Sequence, residues 1–421
     1  MDASPRQPKP LGLIFLTTLL DLLGLTLIIP ILAPLLTESE TVLGPGVSEE
    51  TRNLLYGLVI AAFPTFQFVG APLLGALSDR IGRKRVLYLT IGGTLISYLI
   101  TATAIVHGSI VGLFVGRIVQ GFSAGNLSVI YSAIADVSGP EEKAKNFGLV
   151  GAAFGIGFVI GPLVGGILSD PAYVSWFSFA TPFWVSAGLV GFNLLLVWRI
   201  FPETLQTFNR EAPITPWRGF QNLAKAFTNP RLRAIFVVVF FFTFGFTFFT
   251  QMIQLFLIKR FDFNQSDIGK LFGYVGLLLA LTQGLIVRYL SSRVGPAPIL
   301  RITLLTLSGA FLLLLLPDQT LGIYLMMPFV VISNGIANPN LASTVSNLAP
   351  AHLQGETLGM QQSVQSLAQI IPPIAGGLIV SYSITSPLWL ASVAVFLGWL
   401  MFVLQFGLRG GLPRPDQGGE A

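Results

Sequence analysis

Twelve apolar stretches, each long enough to cross a lipid bilayer as a helix, follow one another along the chain of 421 residues. About 20 residues of α-helix span the ~30 Å of bilayer hydrocarbon. Only 10% of the residues are charged, whereas a soluble domain carries about a quarter. Because lipid offers no hydrogen bonds to a backbone, the sequence predicts an all-α polytopic membrane protein with twelve transmembrane helices. The stretches cover residues 11–35, 53–78, 86–106, 109–136, 147–169, 175–200, 234–258, 267–289, 298–316, 320–348, 359–382 and 385–408.

A short internal repeat divides the twelve stretches into two sets of six. Residues 77–82 (LSDRIG) align without a gap with residues 290–295 (LSSRVG), about half the chain later. A repeat of this size in a membrane protein is typical of a transporter. The sequence therefore predicts two pseudo-symmetric six-helix bundles around a central cavity. Its predicted divisions are an N-terminal bundle (1–200), a cytoplasmic central linker (201–233), a C-terminal bundle (234–409) and a disordered tail (410–421).

Lysine and arginine are distributed unequally between the two sides of this topology. With both termini inside, nineteen of them fall on the inner side and four on the outer side, and Arg117 lies within a helix. Cytoplasmic loops of membrane proteins carry such an excess. Both termini are therefore predicted to be cytoplasmic, and the expected location is a bacterial inner membrane. The same distribution argues against nucleic acid as the partner of a chain with net charge +5.

The predicted linker contains aromatic and aliphatic residues at near-helical spacing, namely Trp217, Phe220, Leu223 and Phe227. The spacing fits an amphipathic helix lying on the inner membrane surface. An ordinary linker is an equal alternative at this stage.

Residues that would support catalysis or cofactor binding are scarce. The chain has no cysteine, and its two histidines, His107 and His352, fall in predicted loops. The sequence contains no recognisable metal-ligand cluster and no Gly-rich phosphate loop. We therefore expect no enzyme activity, no catalytic residue, no metal and no cofactor. The expected partners of this monomer are a small-molecule substrate, protons and membrane lipid.

A polar loop between the second and third stretches has a high density of charge. Gly75 and Gly82 allow close helix approach and a tight turn. Asp79 can cap a helix or pair with arginine. The loop resembles the signature loop between helices two and three of the major facilitator superfamily, and the resemblance extends over nearly the whole chain. It implies a gating loop that latches against the inner end of helix four and the N-terminus of helix eleven. The residues concerned are Gly75, Asp79, Arg80, Gly82, Arg83 and Asp136.

Two ionisable residues fall inside predicted spans. A guanidinium such as that of Arg117 costs several kcal/mol in a bilayer unless it faces a partner or a wet cavity, or reaches an interface by snorkelling. Asp21, near mid-membrane, could carry a proton or could be a structural carboxylate bonded to a neighbouring helix. The segment 117–121 (RIVQG) resembles the superfamily's helix-four motif, which implies proton coupling. Asp21-x-x-Gly24 followed by Pro30 resembles the helix-one motif of 12-span drug:proton antiporters of the tetracycline-efflux type. The segment 201–205 (FPETL) after helix six is also similar to that group.

Helix five carries small residues spaced for backbone contact with a neighbour and a proline that adds a kink. Helix packing alone would explain this pattern. The pattern also resembles the antiporter signature of the drug:proton antiporters, through Gly157, Gly161, Pro162, Gly165 and Gly166. In the second half, Pro373 and the pair Gly376-Gly377 match the last part of it.

The second half departs from the tetracycline exporters, which typically hold a further intramembrane acid there. Helices seven to twelve show no Asp or Glu away from their ends. They carry neutral polar residues instead. Such residues more often form hydrogen bonds between helices than contacts with a ligand. The candidate lining of the substrate cavity is Gln67, Gln120, Asn126, Thr247, Gln251, Gln254, Asn334, Asn338 and Gln365.

The favoured function is proton-coupled efflux, by antiport, of an amphipathic drug-like small molecule through alternating access. Asp21 would carry the proton and Arg117 would modulate it. The alternative is a proton-coupled symporter of a sugar or another metabolite, which would use the same fold. A non-transporting receptor or scaffold would need neither residue buried.

Overall fold

The computed structural model describes residues 11–407 apart from 139–142, 206–207, 209–214, 216, 231, 292 and 349–353. The predicted tail (410–421) and Ser292 of the repeat lie outside the described residues. Helix is the regular structure that the described residues adopt, which confirms the predicted fold class. The α-helices are α1 (Leu11–Leu27), α2 (Leu32–Thr37), α3 (Glu49–Ile81), α4 (Arg83–Val106), α5 (Ile110–Ser123), α6 (Asn126–Val137), α7 (Lys143–Leu168), α8 (Thr181–Arg199), α9 (Arg218–Thr228), α10 (Arg233–Phe261), α11 (Gln265–Leu281), α12 (Arg288–Ser291), α13 (Pro296–Leu313), α14 (Thr320–Leu348), α15 (Gln354–Ile379) and α16 (Ser386–Phe402).

Eleven helical segments of the described chain are long and apolar enough to cross a membrane. The predicted span 359–382 is also helical, within the 26 residues of α15, but it is not among the eleven. Its glutamines and serines lower its apolarity, and they include Gln361, Gln362, Ser363, Gln365, Ser366 and Gln369. Because α15 packs against α3, α9 and α10, several of these polar side chains, such as Gln361, Ser363 and Ser366, are buried against protein, where lipid does not penalise them.

Two spans contain a break in the helix. The first runs from α1 to α2 across residues 28–31, where Pro30 has no N–H to continue the helical hydrogen bonding. The fourth runs from α5 to α6 across Ala124 and Gly125. A Cβ at Gly125 would lie 2.9 Å from Leu74 of α3, so the close approach of α3 requires a glycine there. This second break makes Asn126 the first residue of α6.

Two seams join the halves of the chain. In one, α7 packs against α11, and in the other α3 packs against α15. Backbone meets backbone at both seams, because a Cβ on Gly166 would lie 3.1 Å from the Cα of Gly269, and a Cβ on Gly57 would overlap the carbonyl of Pro373. Small residues permit this proximity in membrane helices.

The halves are bonded together at one end of the molecule. We call the end that carries the turn between α3 and α4 the basic end, and the other the opposite end. Several bonds between the halves lie towards the opposite end: Asn53 Nδ2 to Ser381 Oγ (3.1 Å), Tyr56 OH to the Gln251 carbonyl (2.7 Å), Gln254 Nε2 to the Ile29 carbonyl (3.1 Å), Tyr173 OH with Ser266 Oγ (3.1 Å), and an ion pair between Lys259 and Glu49. The opposite end is therefore closed in this conformation.

Candidate functional site

A carboxylate and an amide meet inside the first half of the chain. Asp21 of α1 and Asn126 of α6 are both buried. Asn126 Nδ2 donates a hydrogen bond to Asp21 Oδ2, and Asn126 Oδ1 accepts one from the backbone N–H of Leu127 at 2.8 Å. Asp21 Oδ1 is buried and has no hydrogen-bond partner among the described residues. One carboxylate oxygen is thus held by a donor and the other remains available to a proton.

Arg117 lies in α5 with 8% of its surface exposed. Its Nη1 donates to Gln120 Oε1 at 2.7 Å, and its guanidinium carbon lies 4.9 Å from the centre of the Phe63 ring. Contact with an aromatic face stabilises a cation that has lost water. The guanidinium is therefore accommodated inside the bundle by α3 and α5, and does not need to reach an interface.

Tyr98 of α4 is hydrogen-bonded to Gln120 beside Arg117 and lies close to α1, and it is not among the predicted site residues. Gln120 Nε2 donates to the Tyr98 hydroxyl at 3.3 Å. A Cβ at Gly24, one helical turn after Asp21, would lie 3.7 Å from the same hydroxyl and 3.4 Å from the Tyr98 ring. Along the chain Tyr98 stands among several polar residues of α4, such as Thr94, Ser97 and Thr101, so no pattern in the sequence singles it out.

The turn between α3 and α4 forms an ion cluster within the first half. Arg83 is buried and contacts Asp79 Oδ1 at 2.6 Å, Asp136 Oδ2 at 3.1 Å and Ser78 Oγ at 2.5 Å. Gly82 has φ +104°, a value that L side chains rarely adopt. The predicted contact of the loop with Asp136 is present through Arg83. The predicted latch onto helix eleven adjoins residues 349–353, outside the described chain, and stays a prediction.

The segment after α8 completes this cluster. Glu203 accepts hydrogen bonds from the backbone N–H groups of Arg83 (2.8 Å) and Lys84 (3.2 Å), so its carboxylate caps the N-terminus of α4. Thr204 Oγ1 donates to Asp136 Oδ2 at 3.3 Å. Arg80, Glu203 and Phe208 line a cavity of about 650 Å³ at this surface. The sequence had flagged the segment 201–205 without assigning Glu203 this role.

The glycines of the predicted antiporter motif face two different helices. Along one side of α7, Gly157, Gly161 and Gly165 lie against α1, where Thr26 Oγ1 donates to the Gly157 carbonyl at 2.8 Å. On the other side, Gly166 and the carbonyl of Pro162 lie against α11 of the second half. The motif thus packs α7 simultaneously within its own half and across the seam.

The pair Gly376-Gly377 repeats this arrangement in the second half. Gly376 faces Met252 of α10, the first span of its own half, and Gly377 faces the carbonyl of Asn53 in the first half. The match that the sequence suggested between the two motifs is therefore a match of packing as well.

Comparison with known proteins agrees with this architecture. The profile of the Major Facilitator Superfamily matches residues 14–373. The chain belongs to the Major Facilitator Superfamily. It is therefore a multi-pass membrane transporter and not an enzyme.

Superfamily relatives, among them tetracycline resistance proteins, match nearly the whole chain. The tetracycline resistance protein, class H, of Pasteurella multocida is 29% identical over 420 residues, covering 96% of this chain and 98% of the relative. Major facilitator superfamily domain-containing protein 10 of Mus musculus is also 29% identical, with 96% and 95% covered. The crystal structure of the human organic anion transporter MFSD10 (TETRAN) is similar, with a TM-score of 0.71 at 25% identity over 95% of this chain and 100% of that one.

The neutral residues predicted to line a substrate cavity of this transporter lie in different environments. Gln120 and Asn126 belong to the polar group described above. Thr247 Oγ1 is bonded to the Thr243 carbonyl of its own helix at 2.7 Å, and Gln251 and Gln254 take part in the bonds that close the opposite end. Gln67, Asn334 and Gln365 are half-buried and Asn338 is exposed. Their role as cavity lining stays a prediction.

Proposed function

We propose that this transporter exports an amphipathic, drug-like small molecule from the cytoplasm in exchange for protons. The observation that supports this most is the buried pair of Asp21 and Asn126 beside the polar chain of Tyr98, Gln120 and Arg117. Asp21 and Arg117 are ionisable, and ionisable residues within transmembrane segments are costly and mark an ion or substrate pathway.

In the proposed cycle, Asp21 is the proton carrier. Its Oδ2 is held by Asn126 in the charged form, while Oδ1 accepts the incoming proton. Arg117, which lies on the far side of Gln120 and Tyr98, is a fixed positive charge in the same group. The substrate and the proton would compete for the cavity at this group, and that competition couples their movements in opposite directions.

The two halves differ in a way that favours a single coupling site. Asn340 occupies the place in α14 that Asn126 occupies in the first half, but its Nδ2 donates to the Ile336 carbonyl of its own helix at 2.7 Å. Among the described residues of α10 to α16, Asp and Glu are confined to the helix ends. The proton site is therefore assigned to the first half.

The proposed orientation places the basic end in the cytoplasm, in a bacterial inner membrane. The inter-half bonds towards the opposite end would then close the extracellular side, and this conformation would face inward. Alternating access requires these bonds to break while the basic end closes. The loop that carries Asp79 and Arg83 would stabilise that inner closure through its predicted latch onto the N-terminus of helix eleven.

The names of the relatives suggest two substrate classes. One is a tetracycline-like drug, from the resistance proteins, and the other is an organic anion, from the human transporter. A panel of both classes should be tested in an efflux-deficient bacterial host, with the Asp21→Asn variant as control. We expect lower accumulation of at least one amphipathic compound in cells that express the unaltered chain.

The direction of substrate flux distinguishes the symporter alternative from the proposed antiporter. In vesicles of known sidedness, an antiporter moves substrate against the direction of an imposed proton gradient, whereas a symporter moves it with the protons. Accumulation of a sugar or metabolite along with inward protons would replace the proposed export function.

A further inference from the structure

The helix α9 lies in the connection between the halves and touches both of them. Gly219 lies against α3, where an added Cβ would be 2.9 Å from the Phe68 ring. Asn222 Nδ2 donates to Ser363 Oγ of α15 at 3.3 Å. Gly219, Asn222, Leu223 and Ala226 form one face, and all of them are buried or half-buried. The helix is therefore docked onto a pair of spans that belong to different halves.

The rest of the surface of α9 is divided into two further faces, and the Phe220 ring at the edge of one of them also contacts Phe68 of α3, with ring centroids 5.0 Å apart. At 100° per residue, Trp217, Phe220, Ala224 and Phe227 form an apolar face, while Arg218, Gln221, Lys225 and Thr228 form a polar face that carries no acid. Trp217 and Phe220 are 64% and 51% exposed. A large exposed aromatic face beside a basic face is typical of a helix lying in a membrane interface.

The depth of α9 agrees with such a location. The 33 residues of α3 extend about 50 Å, which exceeds the ~30 Å of hydrocarbon. Phe68 lies roughly 20 Å from the basic end of α3. The contact residue Ser363 lies in the first three turns of α15, and α10 begins as a span shortly after α9 ends. All three neighbours place α9 near the boundary between acyl chains and headgroups at the basic end.

We propose that the exposed faces of α9 bind the anionic inner leaflet, with the apolar face among the acyl chains and the basic face on lipid phosphates. The charge argues for this occupant, because the cytoplasmic leaflet is negative and attracts basic segments next to a span. Since α9 is docked on α3 and α15, lipid bound to α9 also holds the two halves in their present relation. The inference rests on the predicted orientation, and it is independent of the substrate and of proton coupling.

The absence of cysteine from the chain permits a direct test. Phe220→Cys and Gln221→Cys place a fluorophore on the apolar and the polar face respectively. After reconstitution into phosphatidylcholine vesicles, we expect brominated acyl chains to quench the label at position 220 strongly and aqueous iodide to quench the label at position 221. Quenching of the position 220 label by iodide and not by brominated lipid would overturn the proposal, since that face would then await a protein partner or remain in water.

The contribution of charge is tested in the same Phe220→Cys background. Phosphatidylglycerol should increase quenching by brominated lipid, and Arg218→Gln with Lys225→Gln should remove that increase, because each basic residue shifts binding to an anionic surface about five-fold. Arg199→Gln with Arg288→Gln is the matched control, which removes two exposed positive charges elsewhere on the molecule. Equal effects of the two double substitutions would contradict a specific anionic site on α9.

Discussion

The side-chain amide of Asn126 donates a hydrogen bond to the carboxylate of Asp21, and this bond joins the first span to the fourth. The helix break at Ala124 and Gly125 makes Asn126 the first residue of α6. A residue in that position is free to direct its side chain at a neighbour while its Oδ1 accepts the N–H of Leu127. The helix break thus positions Asn126 to bond Asp21, which is the only carboxylate in the middle of the described spans.

Replacing Asn126 by Ala should lower both thermal stability and transport. The change leaves Asp21 Oδ2 without its donor, and a hydrogen bond to a charged group contributes about 1.5–3 kcal/mol. The matched control is Asn340→Ala, which removes an amide bonded only to its own helix and should leave transport largely intact. Melting temperature in detergent and initial transport rate are the measurements, and equal losses of transport would contradict the asymmetry between the halves.

Arg117→Lys should reduce transport strongly while expression stays near normal. Lysine keeps a positive charge but lacks the planar fork that both bonds Gln120 and stacks over Phe63. Arg288→Lys, at an exposed position, controls for the effect of replacing any arginine by lysine. If Arg117→Lys transports at the normal rate, a point charge is sufficient at this position and the geometry around Gln120 is irrelevant to coupling.

Gly165→Ala should destabilise the fold by a few kcal/mol, as overpacking does. An added Cβ at Gly165 would overlap the carbonyl of Leu27, whereas one at Gly151 in the same helix would meet nothing within 4 Å. Gly151→Ala should therefore be neutral or slightly stabilising. Thermal unfolding of the two variants in the same detergent tests the difference, and similar melting temperatures would show that α1 and α7 can separate freely.

Asp79→Asn should favour the conformation seen here, and Ser292→Ala, at the equivalent place in the repeat, should do little. The ion pair of Asp79 with Arg83 is already formed within the first half in the present conformation, so the shift would come from the predicted latch of Asp79 onto helix eleven, which forms only when the basic end closes. Asp79 is 44% exposed, so we expect this latch contact to contribute up to about 1 kcal/mol, enough for a several-fold shift of a balanced equilibrium. Ser381→Cys, at the seam of the opposite end, reports opening by its rate of labelling. The rate should fall in the Asp79 variant, and equal changes from both substitutions would mean that the latch is not confined to the first half.

The sequence was sufficient to predict the helical fold, the duplication and the burial of Asp21 and Arg117 within spans, because these depend on hydropathy, spacing and local motifs. Pro30 marks the break at residues 28–31 in the sequence, but the break at 124–125 depends on the close approach of Leu74 of α3 to Gly125, which the sequence could not predict. Tyr98 and Glu203 were missed for a related reason. Each acts through a partner distant in the chain, Gln120 for Tyr98 and the N-terminus of α4 for Glu203, and no pattern along the chain shows such contacts.

The central claim is that Asp21 carries the proton that drives export. Asp21→Asn keeps the shape of the side chain and its ability to bond Asn126, and it removes only the titrating group, so the variant should fold and insert normally. The most direct measurement is the proton flux that follows addition of a transported compound to proteoliposomes containing a pH-sensitive dye. The account predicts a substrate-dependent flux for the unaltered protein and none for Asp21→Asn. An undiminished substrate-dependent proton flux in the Asn variant would contradict it.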